Sequence, residues 1–228
     1  MIAIENARIR RALKIIIPFA AIPFTVLLGG TVFSARSYAF VSLAVAALSV
    51  ALFISGFEKK QTGARRLVIV TVLIALACAG RFIPLIKPVA SIVIISGIYL
   101  GGEAGFLTGA FSALISDFYF GQGPWTPFQM LAWGLVGLFA GLSSGVLKKS
   151  RAALLVYGAL AGAAYSAIMD VWTVLWYNGA FDIKLYIAAL GTAAPYTVSY
   201  AASNVIFLWV LARPFGQKLE RMHIKYGI

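Results

Sequence analysis

Long apolar runs broken by short polar stretches set the rhythm of this chain. The runs extend from Ile15 to Phe33, Ser37 to Phe57, Leu67 to Ile83, Val89 to Leu100, Ala104 to Phe120, Phe128 to Leu147, Ala152 to Trp176 and Ala193 to Leu211. Most are long enough for a helix to cross a hydrocarbon layer of about 30 Å. Val89 to Leu100 is short and needs its flanks to complete a crossing, and Leu185 to Leu190 is expected to lie along the interface. Since the bilayer interior offers the backbone no water, crossings must be helices or closed barrels, and no strict two-residue alternation argues for strands. The pattern therefore predicts an all-α membrane protein, a polytopic helical bundle of eight spans.

Composition supports this. Apolar residues make up 61% of the chain and charged ones 11%, against about 25% charged in soluble domains, and the mean hydropathy is +0.93. The 228 residues suit one compact bundle. A net charge of +12 would suggest nucleic acid in a soluble protein. Here the basic residues fall between apolar runs, so the lipid bilayer is the expected partner and nucleic acid is not.

Those charges also orient the chain. Arg8, Arg10, Arg11 and Lys14, then Lys59, Lys60, Arg65 and Arg66, then Lys148, Lys149 and Arg151, and finally Arg213, Lys218, Arg221 and Lys225 account for fifteen of the 19 basic residues. Eight spans with both termini in the cytoplasm put all fifteen on one face, as the positive-inside rule expects. Arg36, Arg81, Lys87 and Lys184 fall on or near the other face. The basic lead and first run also read as a signal peptide with a weak cleavage site at Ser34-Ala35. The run's length, with Pro18 and Pro23 inside it, favours a retained first span.

On the outer face this topology gathers the loops Arg81 to Pro88, Gly121 to Gln129 and Tyr177 to Lys184. The stretch GQGPWTPFQMLAWGLVGLFAGLSSG, Gly121 to Gly145, places Gln122, Trp125, Thr126 and Gln129 where a turn becomes a membrane helix, with Trp133 one turn deeper. Such a polar and aromatic mouth suits a small molecule, although Trp125 and Trp133 would also fit an interface belt. Gly134, Gly137, Gly141 and Gly145 are expected to let helix backbones approach closely. Arg81, Asp117 and Asp170 are ionisable groups in or beside spans, where charge is costly and marks either a site or an ion pair that pins helices. Asn204 is equally suited to an interhelical hydrogen bond.

Several chemistries are excluded by count. Cys78 is the only cysteine and His223 the only histidine, so a disulfide within the chain, a histidine triad and a zinc cluster are ruled out. No GxxxxGK[ST] loop occurs, so any ATP-driven step requires a separate chain. No catalytic dyad spacing, proton-relay series or inverted repeat is evident. Two other classes remain open: a self-contained secondary transporter or channel, and a membrane enzyme or assembly factor.

Two further places in the sequence carry a family resemblance. Ala75-Leu76-Ala77-Cys78-Ala79 contains an Ala-x-x-x-Ala stripe, and KPVASIVIISGIYLGGEAGFLTGAFSALISDFYFGQGPWTPFQMLAWGLVGLFAG combines a glycine-rich bend with a Gly-Pro-Trp-Thr-Pro turn. From about Leu67 to Ala212 the chain resembles the substrate-binding S-component of energy-coupling factor (ECF) vitamin transporters. The resemblance implies a six-helix core over residues 67–212, preceded by two extra transmembrane helices within 1–66 and followed by a basic cytoplasmic tail over 213–228. It implies a non-catalytic subunit of the prokaryotic plasma membrane that captures a vitamin outside and delivers it by docking on a transmembrane scaffold subunit and two ATPase subunits. Ala75 and Ala79 would form the docking stripe.

The turn is most like that of S-components for cobalamin or its precursors, so cobalamin or a related corrinoid is the expected transported substrate, with riboflavin, pantothenate or thiamine as alternatives and no permanently bound cofactor. A corrinoid needs aromatic walls and scattered hydrogen-bonding groups. Arg81, Asp117, Tyr119, Gln122, Trp125, Gln129, Trp133, Asp170, Trp172, Trp176, Tyr177, Asn178, Tyr196 and Asn204 supply both types. His223 would lie on the wrong side to ligate cobalt, and Lys218, Arg221 and Lys225 suit anionic lipid.

Overall fold

The computed structural model describes residues 6–31, 38–56 and 60–226, and within them it is helical apart from short connections. The turn at Ala35-Arg36, Glu58 and Lys59 of the second loop, and the side chain of His223 lie outside what is described. The helices are α1 (Ala7–Ile16), α2 (Ile22–Thr31), α3 (Tyr38–Ser55), α4 (Lys60–Gly80), α5 (Val89–Leu100), α6 (Gly102–Phe120), α7 (Thr126–Leu142), α8 (Ser144–Leu147), α9 (Arg151–Asn178) and α10 (Ile183–Tyr226).

Local chemistry explains most boundaries. Asn6 caps α1 by accepting from the Arg8 amide at 2.9 Å. Between α1 and α2 a π-helical turn spans Ile17–Ala21. Pro18 sits there, and its missing N–H removes one helical bond and lets the register slip. The two helices otherwise form one apolar rod, Ala7–Thr31. α4 ends at Gly80, short of the expected Ile83, because Pro84 and Pro88 follow; the exposed Leu85 between them is left-handed at φ 66°. Gly101, with φ 93°, reverses the chain between α5 and α6.

Among the described residues four rods are long and apolar enough to cross a membrane: Ala7–Thr31, Tyr38–Ser55, Arg151–Asn178 and Ile183–Met222. Val89–Leu100 and Thr126–Leu142 are shorter apolar helices. The chain is therefore a multi-pass, all-α membrane bundle.

At its centre, α5, α6 and α7 pack with almost no side chain between them. A Cβ at Gly97 or Gly105 would overlap the Gly137 carbonyl, and one at Gly109 would overlap the Trp133 carbonyl. Gly134 sits under the Phe106 ring and Gly141 against Gly102. Gly145 differs from the expectation, since nothing lies within 4 Å of where its Cβ would be. The helix has already broken at Ser143 there, and α8 is a separate short turn.

One expectation is corrected at the C-terminus: Leu185–Leu190 is not a separate interfacial piece. It is continuous with the basic segment from Arg213. Both belong to the 44-residue α10, which contains Pro195 and Pro214. At about 1.5 Å per residue such a helix is some 66 Å long, twice the hydrocarbon thickness. Prolines are accepted in such helices because neighbouring groups satisfy the freed carbonyls.

The first two spans share the bundle's core. Ile17, Ile22, Val26, Val45, Leu52 and Phe53 are buried in the same core as α5 to α7. At one end, Lys14 pairs with Glu103 at 2.6 Å and Arg66 lies 3.7 Å from the other oxygen of that carboxylate. Arg66 also donates to the Leu100 carbonyl and lies over the Phe53 ring.

Candidate functional site

At the opposite end from the Lys14–Glu103 pair, the C-termini of α4 and α6 meet the N-termini of α5 and α7. The Gly121–Trp125 turn is fixed there by Thr126, which begins α7. Its hydroxyl donates to Asp117 Oδ2 at 2.8 Å and accepts from the Gly123 amide at 3.3 Å. Gly123 is required because the Trp125 ring covers the space a side chain would take.

Asp117 is fully buried and fully partnered. Arg81 Nη1 donates to its Oδ1 at 2.5 Å and to the Ser116 hydroxyl at 2.6 Å. The Gln129 amide orientation that satisfies every neighbour points its nitrogen at both Asp117 oxygens, at 3.0 and 3.1 Å. Its oxygen then accepts from Arg81 Nη2 at 3.3 Å and from the Tyr165 hydroxyl at 2.8 Å. Arg81 is sandwiched between rings, 4.8 Å from the Phe120 centroid and 5.3 Å from that of Trp133. Of the two partners the sequence allowed for Arg81, the structure selects Asp117.

An aromatic wall continues this network. Trp133 stacks on Tyr165 at 5.4 Å and 16°, and Tyr200 meets the Tyr165 edge at 5.2 Å. These rings line an open-sided cavity of about 360 Å³, together with Lys87, Val89, Ser203 and Asn204. Ser203 ties the cavity's rim together, accepting from the Lys87 amide and donating to the Lys87 carbonyl, both at 2.8 Å. Lys87 itself lies in the loop between helices. Burial, and then the Arg81 charge, push its ammonium below the usual lysine pKa. Asn204 donates to the Gly158 carbonyl at 3.0 Å and so also joins α9 to α10.

The residues singled out from sequence fall into three groups. Arg81, Asp117, Gln129, Trp133 and Asn204 converge on this cavity or on the network beneath it. Trp125, Trp172 and Trp176 form a ladder at 5.8 and 6.0 Å. Its last two members line a different cleft of about 520 Å³, shared with Gly29, Gly30 and Tyr38 of the N-terminal hairpin. Tyr119, Tyr177, Asn178 and Tyr196 lie outside both cavities on the exposed surface. Gln122 turns back to donate to the Leu114 carbonyl at 2.8 Å. Asp170 is 7% exposed, and its Oδ2 has no hydrogen-bond partner.

Lys87, Tyr165, Tyr200 and Ser203 were missed from sequence. A tyrosine inside an apolar run resembles core packing, and only the helical register of Gly158, Gly162 and Tyr165 hinted at a shared face. On α4, Ala75 and Ala79 are exposed, whereas Val70, Leu73, Ile74 and Ala77 are buried.

No curated protein and no solved structure gives a significant match to the chain. A family profile described as the ECF-type riboflavin transporter, S component, matches residues 61–221, from the start of α4 nearly to the end of α10. Covering well over half of the sequence and all of the cavity, that match makes the chain a member of this ECF S-component family, and so a membrane-embedded substrate-capture subunit of a transporter whose scaffold and ATPase modules are other chains.

Proposed function

We propose that this subunit captures a flat heterocyclic vitamin, riboflavin foremost, on the outer face of the membrane and hands it to a scaffold subunit carrying two ATPases. One observation supports this above others: the Trp133, Tyr165 and Tyr200 rings line a cavity whose base is the buried Arg81–Asp117–Gln129 network. Aromatic faces suit a planar ring system, and a few fixed polar groups give orientation. The family description names riboflavin, whose ring system is planar. The cobalamin expectation rested on the likeness of the Gly121–Thr126 turn alone.

In this reading the six helices from α4 to α10 that cross or dip into the membrane form the binding core. Both termini are cytoplasmic, and the exposed Ala75 and Ala79 are the stripe on which the scaffold slides. Asp170, whose buried Oδ2 has no hydrogen-bond partner, is an acceptor for a ligand hydroxyl.

The deciding experiment is a titration of the purified chain with riboflavin, followed by quenching of flavin fluorescence against the aromatic wall, with cyanocobalamin and thiamine as competitors. Saturable one-to-one quenching, insensitive to cyanocobalamin, supports the proposal. Displacement by cyanocobalamin, or a red spectrum in the purified protein, would return the corrinoid to first place.

A further inference from the structure

The end of the bundle away from this cavity carries a second concave feature. Between the α8–α9 connection and the last third of α10 lies an open cleft of about 860 Å³. Four cations line it: Lys148, Lys149, Arg151 and Arg213, with one carboxylate, Glu220. Among the described residues none of the four cations forms an ion pair. Two of them are held in place by neutral partners. Arg151 donates to the Trp209 carbonyl at 2.9 Å with its guanidinium 5.2 Å from the Trp209 ring centroid, and Lys148 stands 4.9 Å from that of Tyr99. The cleft wall also includes the N-terminus of the 28-residue α9, whose dipole adds positive potential.

We propose that this cleft binds the phosphate head group of an anionic phospholipid. Four cations held together with one carboxylate, none of them ion-paired among the described residues, call for an anion. A phosphodiester with acyl chains fits better than a soluble anion because the floor is apolar, Leu154 and Leu208 being almost fully buried. On the same two helices Val156, Ile206 and Val210 are exposed, a surface for hydrocarbon. Trp209, 58% exposed on the rim, has the amphipathic ring that membrane interfaces favour. Basic pockets between transmembrane helices on the cytoplasmic side are suited to lipid head groups, and the positive-inside orientation puts this end in the anionic leaflet. The site lies far from the vitamin cavity, so its test does not depend on the identity of the vitamin.

The test uses the full chain in neutral detergent, with lipid binding followed by native mass spectrometry and by thermal shift. Dioleoyl phosphatidylglycerol should bind and raise the melting temperature, while dioleoyl phosphatidylcholine at the same mole fraction should not. In K148Q/K149Q/R213Q the phosphatidylglycerol affinity should fall by about tenfold or more, the scale expected when several cations near an anionic head group are removed. K184Q, at the other end of the same helix, should change it less than twofold. Circular dichroism and riboflavin titration of each variant report whether the fold is kept. Equal binding of the two lipids, equal losses in the two variants, or saturation by soluble glycerol phosphate at the same affinity would each overturn the proposal. So would loss of scaffold association in the triple variant with phosphatidylglycerol binding unchanged, since the cleft would then be a protein-docking surface.

Discussion

Arg81 Nη1 stands 2.5 Å from Asp117 Oδ1, a carboxylate with no exposed surface. The pair joins the end of α4 to the end of α6 directly beneath the Trp133 ring. Breaking a buried pair from one side leaves an uncompensated charge, which typically costs about 3–5 kcal/mol, whereas replacing both partners by neutral groups is far milder. Asp117→Asn and Arg81→Met should therefore each lower the melting temperature of the detergent-solubilised chain more than the double variant does. If the double variant regains stability but not vitamin affinity, Arg81 serves the ligand as well as the helices. Full recovery of both would confine it to pinning.

The contact of α6 with α7 gives a paired test. Cβ atoms at Gly137 and Gly105 would each enter the facing backbone, so neither helix has a flexible side chain to move aside. Gly137→Ala should cost about 2 kcal/mol or more, at the upper end for overpacking. Gly145→Ala meets open space in a helical turn and should be neutral or slightly stabilising. Thermal unfolding monitored by size exclusion separates the two. Equal effects would mean that helix propensity, not backbone approach, governs this segment.

How far the sequence discloses such features depends on whether they are local. The eight apolar runs, the brevity of Val89–Leu100 and the turn ahead of Thr126 are encoded by neighbours in the chain and were legible. The length of α10 was not. Gly191 and Pro195 lie inside that helix, and the solvent that competes for freed carbonyls in water is missing in a bilayer. Arg81, Asp117 and Gln129 were recognisable as costly polar groups near spans. Their meeting point with Tyr165, 36 residues beyond Gln129, depends on helix packing that no local pattern encodes. The same is true of Lys14, which faces Glu103 across the bundle.

That Lys14–Glu103 contact makes the N-terminal hairpin answerable to mutation. Glu103 also neighbours Arg66, and both side chains are about 13–14% exposed. Removing the carboxylate leaves two cations near one another. Glu103→Gln should destabilise the chain by about 1–3 kcal/mol, less than a fully buried pair because Lys14 is partly solvated. Lys14→Met should cost less, since Arg66 remains to balance Glu103. If trypsin cleaves the first two helices from Glu103→Gln faster than from the parent, the ion pair holds the hairpin to the core. Unchanged cleavage would assign that task to Val26, Val45 and Phe53 alone.

Lys87 supplies a pH dependence. Its folded pKa is lowered from 10.5 by burial and by Arg81, so the native state binds this proton less readily than the unfolded chain. Stability must then rise with pH between the depressed folded value and 10.5, and the penalty is fully present below that window. Because the ammonium is largely solvated, the effect should be small, about 1–2 °C in melting temperature. Lys87→Met should remove the rise and stabilise the chain slightly at neutral pH. A wild-type melting temperature that falls steadily across the window, with Lys87→Met unchanged, would show that Lys87 is not strained by its setting.

The proposed docking role of Ala75 and Ala79 can be tested with the cavity as an internal control. Ala75 and Ala79 are exposed on α4, on the side opposite Val70, Ile74 and Ala77, so larger residues there displace lipid rather than core. Ala75→Leu and Ala79→Leu, together, should leave the melting temperature and the riboflavin titration of the isolated chain close to wild type. A scaffold helix that slides along a flat alanine stripe requires close approach of the two backbones, and each leucine adds three carbons at that contact. Vitamin uptake by cells or by reconstituted complexes should accordingly fall tenfold or more. Loss of uptake with binding intact places these alanines at the partner interface. Parallel loss of binding and stability would instead mean that α4 shifts to bury them, and uptake at the wild-type rate would move the docking surface to another helix.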